Sequence, residues 1–291
     1  MTVVRSGPWR VWLVDGGGGD DAAAWAAAWT ARVEGLAEAE PLHRSKHAAT
    51  HRIACGGGDA YVKLYHRYRG ATVWKDRWRA SKAANVVRMS ARLAAAGFHV
   101  PRVLAAGEER RRGRLVRAWV ATAALAGEPI AVALAASLAA DARRLARKRA
   151  VLVALGSEVA RLHEAGVVAG DLVPANVWLG DARGAPAVAF LDHDRTRIGA
   201  RAAPWWRARR NLVQLNRIPI PGLSVTDRLR VYHAYATGRR WTRGAARRRL
   251  TWIVRKTIAR RHRFDRVPRA DSPIPFRELM RADGPYARSE P

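Results

Sequence analysis

The sequence predicts an α+β fold of two lobes, a small β-rich lobe followed by a larger, mainly helical one. Three observations carry this. Short β-branched and aromatic runs dominate up to about residue 123. After Gly127 the texture turns Ala-, Leu- and Arg-rich with helical spacing. The strands do not alternate regularly with helices, as a doubly wound sheet would require. The implied divisions are an N-terminal extension of strand and helix over 1–41, packed on the small lobe; the small lobe over 42–123; the helical lobe over 124–266; and a Pro-rich basic tail over 267–291.

Each element has a local reason. WRVWLVD at 9–15 reads as a strand, and the glycines at 16–19 as a flexible break. Asp20 and Asp21 can cap a helix reaching about Leu36, with Trp25, Trp29 and Val33 spaced as its core face. HRIAC and AYVKLY read as strands joined by a hairpin turn at 56–59. Cys55 ends the first of them, and a small buried strand residue is the expected role for this lone thiol. Residues 81–96 form a helix closed by Gly97, with Pro101 beyond it. Strands follow at 103–104 and 114–123, with a basic tip at 108–114 between them. The run 131–165 reads as two helices, 177–179 and 188–191 as strands. Helices return at 205–216, 225–237 and 241–263.

Charge narrows the partners without choosing one. Lys plus Arg is 53 against 24 for Asp plus Glu, a net +29. Nucleic acid, an anionic membrane surface and a phosphorylated substrate all fit that balance. A hydrophobic fraction of 49% argues against wholesale disorder. There is no apolar run of about 18 residues and no signal-peptide pattern at the start, so the expected location is the cytoplasm. The nine histidines are scattered without an H-E-x-x-H helix, which leaves no zinc motif.

The chemistry sits in two segments. Gly170-Asp171-Leu172-Val173-Pro174-Ala175-Asn176 follows a helix ending in LHEAG, and Phe190-Leu191-Asp192-His193-Asp194-Arg195 closes the next strand pair. Phosphoryl transfer needs such a set: one carboxylate to orient the attacking hydroxyl and accept its proton, and a second carboxylate with an amide oxygen to hold magnesium against ATP phosphates. Asp171 fits the first role, Asn176 and Asp192 the second. As plain turn residues they would need neither this spacing nor this context. Lys63 lies inside the apolar strand AYVKLY, where its charge calls for an anion such as the ATP phosphates; the bland reading is an outward-facing lysine on an alternating strand. His163 and His193 read as packed, hydrogen-bonded histidines. No glycine-rich phosphate loop is visible. HRSKHAAT at 43–50 stands where one is expected, and Ser45, Lys46 and the backbone amides there are the candidate cradle. No acid occurs in 81–93 to pair with Lys63, and Asn85 stands near that place.

These segments resemble the lipopolysaccharide core kinases, the Kdo kinase and core heptose kinase group of the protein-kinase-like superfamily. YVKLYHRYRG at 61–70, AAGFHVPRVLAAGE at 95–108, RLHEAGVVAGDLVPANVWL at 161–179, FLDHDRTR at 190–197 and ARRNLVQLNR at 208–217 carry the resemblance, which runs from about 42 to 240. It implies a bilobal protein-kinase-like fold and ATP with Mg²⁺ as cosubstrate and metal. It also implies Lys63 on the ATP phosphates, Asp171 as base, Asn176 and Asp192 on magnesium, and 121–125 as the hinge beside adenine. Asp194 and Arg195 either order the metal loop or touch the acceptor. The implied function is transfer of phosphate to a Kdo or heptose hydroxyl of an anionic glycolipid, with peripheral contact to an anionic inner-membrane surface and no obligate protein partner indicated.

Two other readings stand within the same fold. One is a small-molecule phosphotransferase of the aminoglycoside or choline type, and the other a non-catalytic ATP-binding module. A nucleic-acid binder is the third class, since Trp and Arg interleave at 74–79 and 205–210, but no reading motif accompanies them and packed tryptophan is the commoner role. The basic helix at 241–263 suits either a membrane surface or packing, with packing preferred.

Overall fold

The computed structural model describes residues 1–14, 21–45, 47–56, 58–66, 80–135, 142–182, 184–217, 220 and 223–265. The glycine run at 16–19, Asp20, Lys46, Gly57, the runs at 67–70 and 74–79 and the tail from 266 lie outside them. The chain divides into two compact units. The first holds Met1–Leu125 together with His193–Arg195; the second holds Ala126–Asp192 and the chain from Thr196 on.

Among the described residues the first unit is one antiparallel sheet with a helix on each face. Its strands are β1 (Thr2–Ser6), β2 (Trp9–Leu13), β3 (His43–Arg44), β4 (Ala48–Cys55), β5 (Gly58–Tyr65), β6 (Val103–Arg111) and β7 (Arg114–Ala123). Their order is β1-β2-β6-β7-β5-β4-β3. Alternation along each strand sorts the side chains onto the two faces. Trp9, Val11, Val62 and Trp119 point to one face and meet helix α1 (Ala22–Gly35) through Ala26, Trp29 and Val33. Trp29 stacks on Trp119 at 6.0 Å, a geometry worth about 1 kcal/mol beyond the area it buries. Trp12, Tyr65, Val103 and Val120 line the other face and meet helix α2 (Lys82–Ala95) through Val86 and Val87. The Ser81 hydroxyl caps α2 by accepting from Ala84 N at 3.1 Å.

Several local expectations change here. The opening segment is a hairpin, β1 with β2, rather than one strand, because Gly7 at φ +54° allows the tight turn before Trp9. Asp21 stands at the N-cap of α1 but its side chain makes no cap bond. Trp25 is 46% exposed, so Ala26, Trp29, Thr30 and Val33 form the buried face instead. The tip at 108–114 is mostly strand. Glu108 and Glu109 are buried there, and Glu109 is bonded by Arg111 and Arg117. Burial opposes ionisation of Glu109, but Arg117 and Arg111 outweigh it and hold the carboxyl below its ordinary range. Cys55 is half-buried, with Arg32 Nη1 3.7 Å from its sulfur.

The second unit is helical around a small sheet. Its helices are α3 (Ile130–Ala135), α4 (Ala142–Glu164), α5 (Trp205–Arg217), α6 (Val225–Gly238) and α7 (Arg243–Asp265). β8 (Glu128–Pro129), β10 (Val177–Ala182) and β11 (Ala185–Phe190) form one sheet in the order β11-β10-β8, and β9 (Val167–Val168) pairs with β12 (Arg197–Ile198). α4 packs closely on α6 because Gly156 has no side chain: a Cβ there would lie 2.3 Å from Val231 O. A buried ion pair, Lys148 to Asp227 at 2.6 Å, joins the same two helices, and Asp227 also completes a capping box with Ser224.

Candidate active site

The loop bearing Asp171 is placed by the end of α4. Gly166 takes φ +76°, which lets the chain reverse out of the helix, and a Cβ on it would stand 2.5 Å from Arg201 O. β9 follows, then Ala169, whose N–H donates to Asn211 Oδ1 at 3.0 Å and whose carbonyl accepts from Asn211 Nδ2 at 2.8 Å. Asn211 Nδ2 also donates to Gln214 Oε1 at 2.9 Å, and Gln214 Nε2 donates to Asp171 Oδ1 at 2.6 Å. Two amides one turn apart on α5 thus hold the loop by backbone and carboxylate together. Asp171 itself is exposed, and its Oδ2 has no hydrogen-bond partner among the described residues.

This network continues into the core through His163. Its Nε2 lies 3.2 Å from Asn211 Oδ1 and its Nδ1 2.9 Å from the Tyr235 hydroxyl. Asn211 Oδ1 only accepts, so Nε2 carries the proton and Nδ1 accepts from Tyr235. Desolvation by burial pushes the imidazole down to about 4, so it is neutral near pH 7. Burial likewise pushes the Tyr235 phenol up. His163 is a packed histidine, as its sequence context suggests, yet it anchors the amide that holds the Asp171 loop.

Asn176 and Asp192 come to the same end of one hairpin. Val177 pairs with Phe190 at the start of β10 and end of β11, and Leu191 N donates to Asn176 O at 2.9 Å. Asn176 Nδ2 donates to Asp171 O at 3.0 Å, which leaves its amide oxygen as the group available to a cation. Asp192 adopts φ +60°, a left-handed conformation that an aspartate tolerates better than most residues but that still costs about 1 kcal/mol or more. One carboxylate and one amide oxygen are hard ligands, and no cluster of three or more His, Cys, Asp or Glu that could hold a metal occurs among the described residues. That donor set suits Mg²⁺, which takes one or two protein oxygens and completes its shell with phosphates and water.

In the first unit Lys63 sits on β5, opposite Thr50 and Val120, on the sheet face that meets α2. It is half-buried, not an outward surface lysine, and its Nζ lies 5.5 Å from the Tyr65 ring centroid. Asn85 on α2 donates its amide to His193 O at 3.2 Å and to Asp194 O at 3.0 Å. Lys82 Nζ lies 3.4 Å from Asp194 Oδ2. Asp194 is therefore tied to α2, while Arg195 is exposed. The Ser45 hydroxyl donates to Ala48 O and accepts from Ala48 N, both at 3.1 Å, tying the turn between β3 and β4. Residues 121–123 end β7 and 124–125 follow it, with Ala123 N and Ala124 N bonded to Arg102 O and Asp59 O.

The residues the sequence did not single out are Asn211, Gln214 and Lys82. An N-x-x-Q pair on one helix face was the signal for the first two, but such a pair marks a function only once its partner loop is known. An apolar cavity of about 290 Å³ also opens in the helical unit, lined by side chains such as Leu152, Leu155, Leu212 and Ile253, with Pro174 of the Asp171 loop at its wall.

The family model of the lipopolysaccharide kinase (Kdo/WaaP) family matches residues 30–235. Among solved structures, the chain is similar to that of WaaP in complex with acyl carrier protein, at 20% identity and a TM-score of 0.60, covering 86% of this chain and 98% of that chain. At that identity the likeness concerns the fold, which agrees with the bilobal kinase-like expectation. No curated protein gives a significant sequence match.

Proposed function

The chain belongs to the lipopolysaccharide kinase (Kdo/WaaP) family, a family of phosphotransferases, and on that premise we propose that it transfers phosphate from ATP to a Kdo or heptose hydroxyl of lipopolysaccharide core or a related bacterial glycolipid. The observation that carries the proposal is the carboxylate of the exposed Asp171, held at Oδ1 by Gln214. In this reading Oδ2 accepts the proton of the attacking sugar hydroxyl as its oxygen bonds to phosphorus. Gln214 and Asn211 keep the carboxylate in one rotamer, so little ordering remains to be done when the acceptor arrives.

Asn176 Oδ1 and the Asp192 carboxylate are the groups that would hold magnesium, whose bound charge would neutralise the ATP phosphates and orient the transferred group. Lys63 is assigned to the same phosphates, and Ser45 with Lys46 to the turn that stands in the sequence position of a phosphate loop. Asp194 is assigned to ordering the metal loop, because its carboxylate and carbonyl are tied to Lys82 and Asn85. Arg195, being exposed, is left to the acceptor. No helix among the described residues is long and apolar enough to cross a membrane. The net charge of +29 supports peripheral contact with an anionic inner-membrane surface.

The deciding experiment is labelled-ATP transfer to extracted lipopolysaccharide and lipid A precursors by wild type and Asp171→Ala. Labelling by wild type with a loss of roughly 10²–10⁴-fold in the variant is expected. Equal labelling by both would remove Asp171 from the chemistry. Separating the labelled sugars by mild acid hydrolysis then distinguishes Kdo from heptose. A protein partner is a second matter. The similar structure is a complex with acyl carrier protein, and the apolar cavity beside Pro174 suits an alkyl chain. Co-purification of this chain with an acyl carrier protein is the corresponding test.

A further inference from the structure

α5 and α7 carry a second cluster, and it contains neither Asp171 nor any group of its network. Trp205 meets Trp241 edge-on at 5.5 Å and Trp252 at 5.6 Å. Cations cover these rings. Arg249 lies 3.9 Å from the Trp241 centroid, Arg209 lies 4.6 Å and Lys256 5.9 Å from that of Trp252, and Arg207 lies 4.6 Å from that of Trp206. On α7 the contributing positions 245, 248, 249, 252 and 256 recur at helical spacing and make one stripe. A cleft of about 300 Å³ opens between Trp205, Trp252, Arg248 and Arg249.

The charge of this stripe is not balanced locally. Among the described residues, none of Arg207, Arg209, Arg248, Arg249 and Lys256 pairs with a carboxylate. α5 contains no acid, and Asp265 is the sole acid of α7. One guanidinium nitrogen of the half-buried Arg249 has no hydrogen-bond partner, while its plane lies against the Trp241 and Trp205 rings. A ring-stacked guanidinium with an unused donor is suited to an anion.

We propose that this Trp–Arg stripe is the surface by which the protein docks on an anionic lipid bilayer, with a lipid phosphate seated in the cleft between Arg248 and Arg249. The choice of partner rests on the ring faces. A single-stranded nucleic acid needs open aromatic faces on which bases stack. Here guanidinium and ammonium groups occupy those faces, and Trp205 is packed edge-on. Tryptophan beside arginine instead suits the headgroup layer, where an indole is half-immersed and a ring-stacked, weakly hydrated guanidinium meets lipid phosphate. Trp206 is 59% exposed with Arg207 over its ring, so indole and guanidinium would enter that layer together. The proposal deepens the glycolipid-kinase reading, because an acceptor embedded in a membrane requires the enzyme to sit on it.

The test uses the full chain and vesicles that contain no acceptor sugar, so that docking and phosphate transfer are read separately. Sedimentation with phosphatidylglycerol vesicles is compared with pure phosphatidylcholine vesicles. The triple variant Arg209→Gln, Arg248→Gln, Lys256→Gln removes three cations of the stripe. The control Arg5→Gln, Arg44→Gln, Arg92→Gln removes three exposed cations elsewhere. At about fivefold per charge, the stripe variant is expected to bind roughly a hundredfold more weakly, and the control to lose much less. Brominated lipid should quench wild-type fluorescence more than that of Trp206→Phe. Equal losses in the two triple variants, or equal binding to both vesicle types, would overturn the proposal. So would a stripe variant that loses binding to single-stranded RNA while keeping vesicle binding. Transfer to a delipidated core oligosaccharide should survive in the stripe variant. If wild type also fails there, the kinase reading fails and the docking result stands on its own.

Discussion

Two amide side chains govern what Asp171 is able to do. Gln214 occupies Oδ1 and leaves Oδ2, and Asn211 fixes the backbone two residues before it. A hydrogen bond to a charged group is worth about 1.5–3 kcal/mol. Gln214→Leu should therefore lower kcat by roughly 10- to 100-fold with KM for ATP nearly unchanged, and steady-state kinetics on extracted lipopolysaccharide checks this. Gln214→Glu should be no better, since a carboxylate cannot donate and repels Asp171. His163 supplies a pH test of the same network. Its folded-state value lies at about 4 against an ordinary 6.5, so the unfolded chain binds the proton first as pH falls. Its contribution to stability is complete above about pH 6.5 and is lost progressively toward pH 4, about 3 kcal/mol in all. Urea midpoints across that window should flatten in His163→Gln. The Asp171–Asn176 spacing is legible in sequence because both residues lie on one short loop. Gln214 lies 43 residues away from Asp171, and nothing local in NLVQ says which loop it faces.

At the scale of elements, α2 is tied to the segment after Asp192. It contains no acid, yet Asn85 grips the backbone of His193 and Asp194 and Lys82 meets the Asp194 carboxylate. Asn85→Ala should lower kcat by about tenfold, the worth of one or two hydrogen bonds, while thermal unfolding shifts by only a few degrees. The α4–α6 contact makes the opposite kind of demand. Gly156→Val drives a branched side chain into Val231 O and should cost about 1–3 kcal/mol of stability, read as a lower urea midpoint at unchanged m-value. Helices with long periodic patterns, such as α4 and α6, were readable from spacing alone. The 103–111 strand was not, because Glu108 and Glu109 look like surface residues until Arg110, Arg111 and Arg117 are seen to neutralise them. Trp25 misled for the opposite reason: an indole at core spacing remained exposed where the neighbouring alanine met the sheet.

For the whole molecule, a net charge of +29 repels itself in the folded state. Raising the salt from about 0.01 to 0.5 M shortens the Debye length several-fold and should raise the melting temperature, an effect calorimetry would detect. Salt should weaken vesicle docking over the same range, separating a stability effect from a binding effect. By itself the sequence determined the fold class, the helical positions, the spacing of Asp171 and Asn176 on one loop and the basic character. These depend on neighbours within a few residues, on periodicity and on composition, all of which are local or additive. Only the tertiary structure decided which amides hold Asp171, that α2 holds the segment after Asp192 and that arginines cover the tryptophans of α5 and α7. Those are contacts between residues far apart in the chain, and their energies are set by burial and geometry that no short stretch of sequence contains.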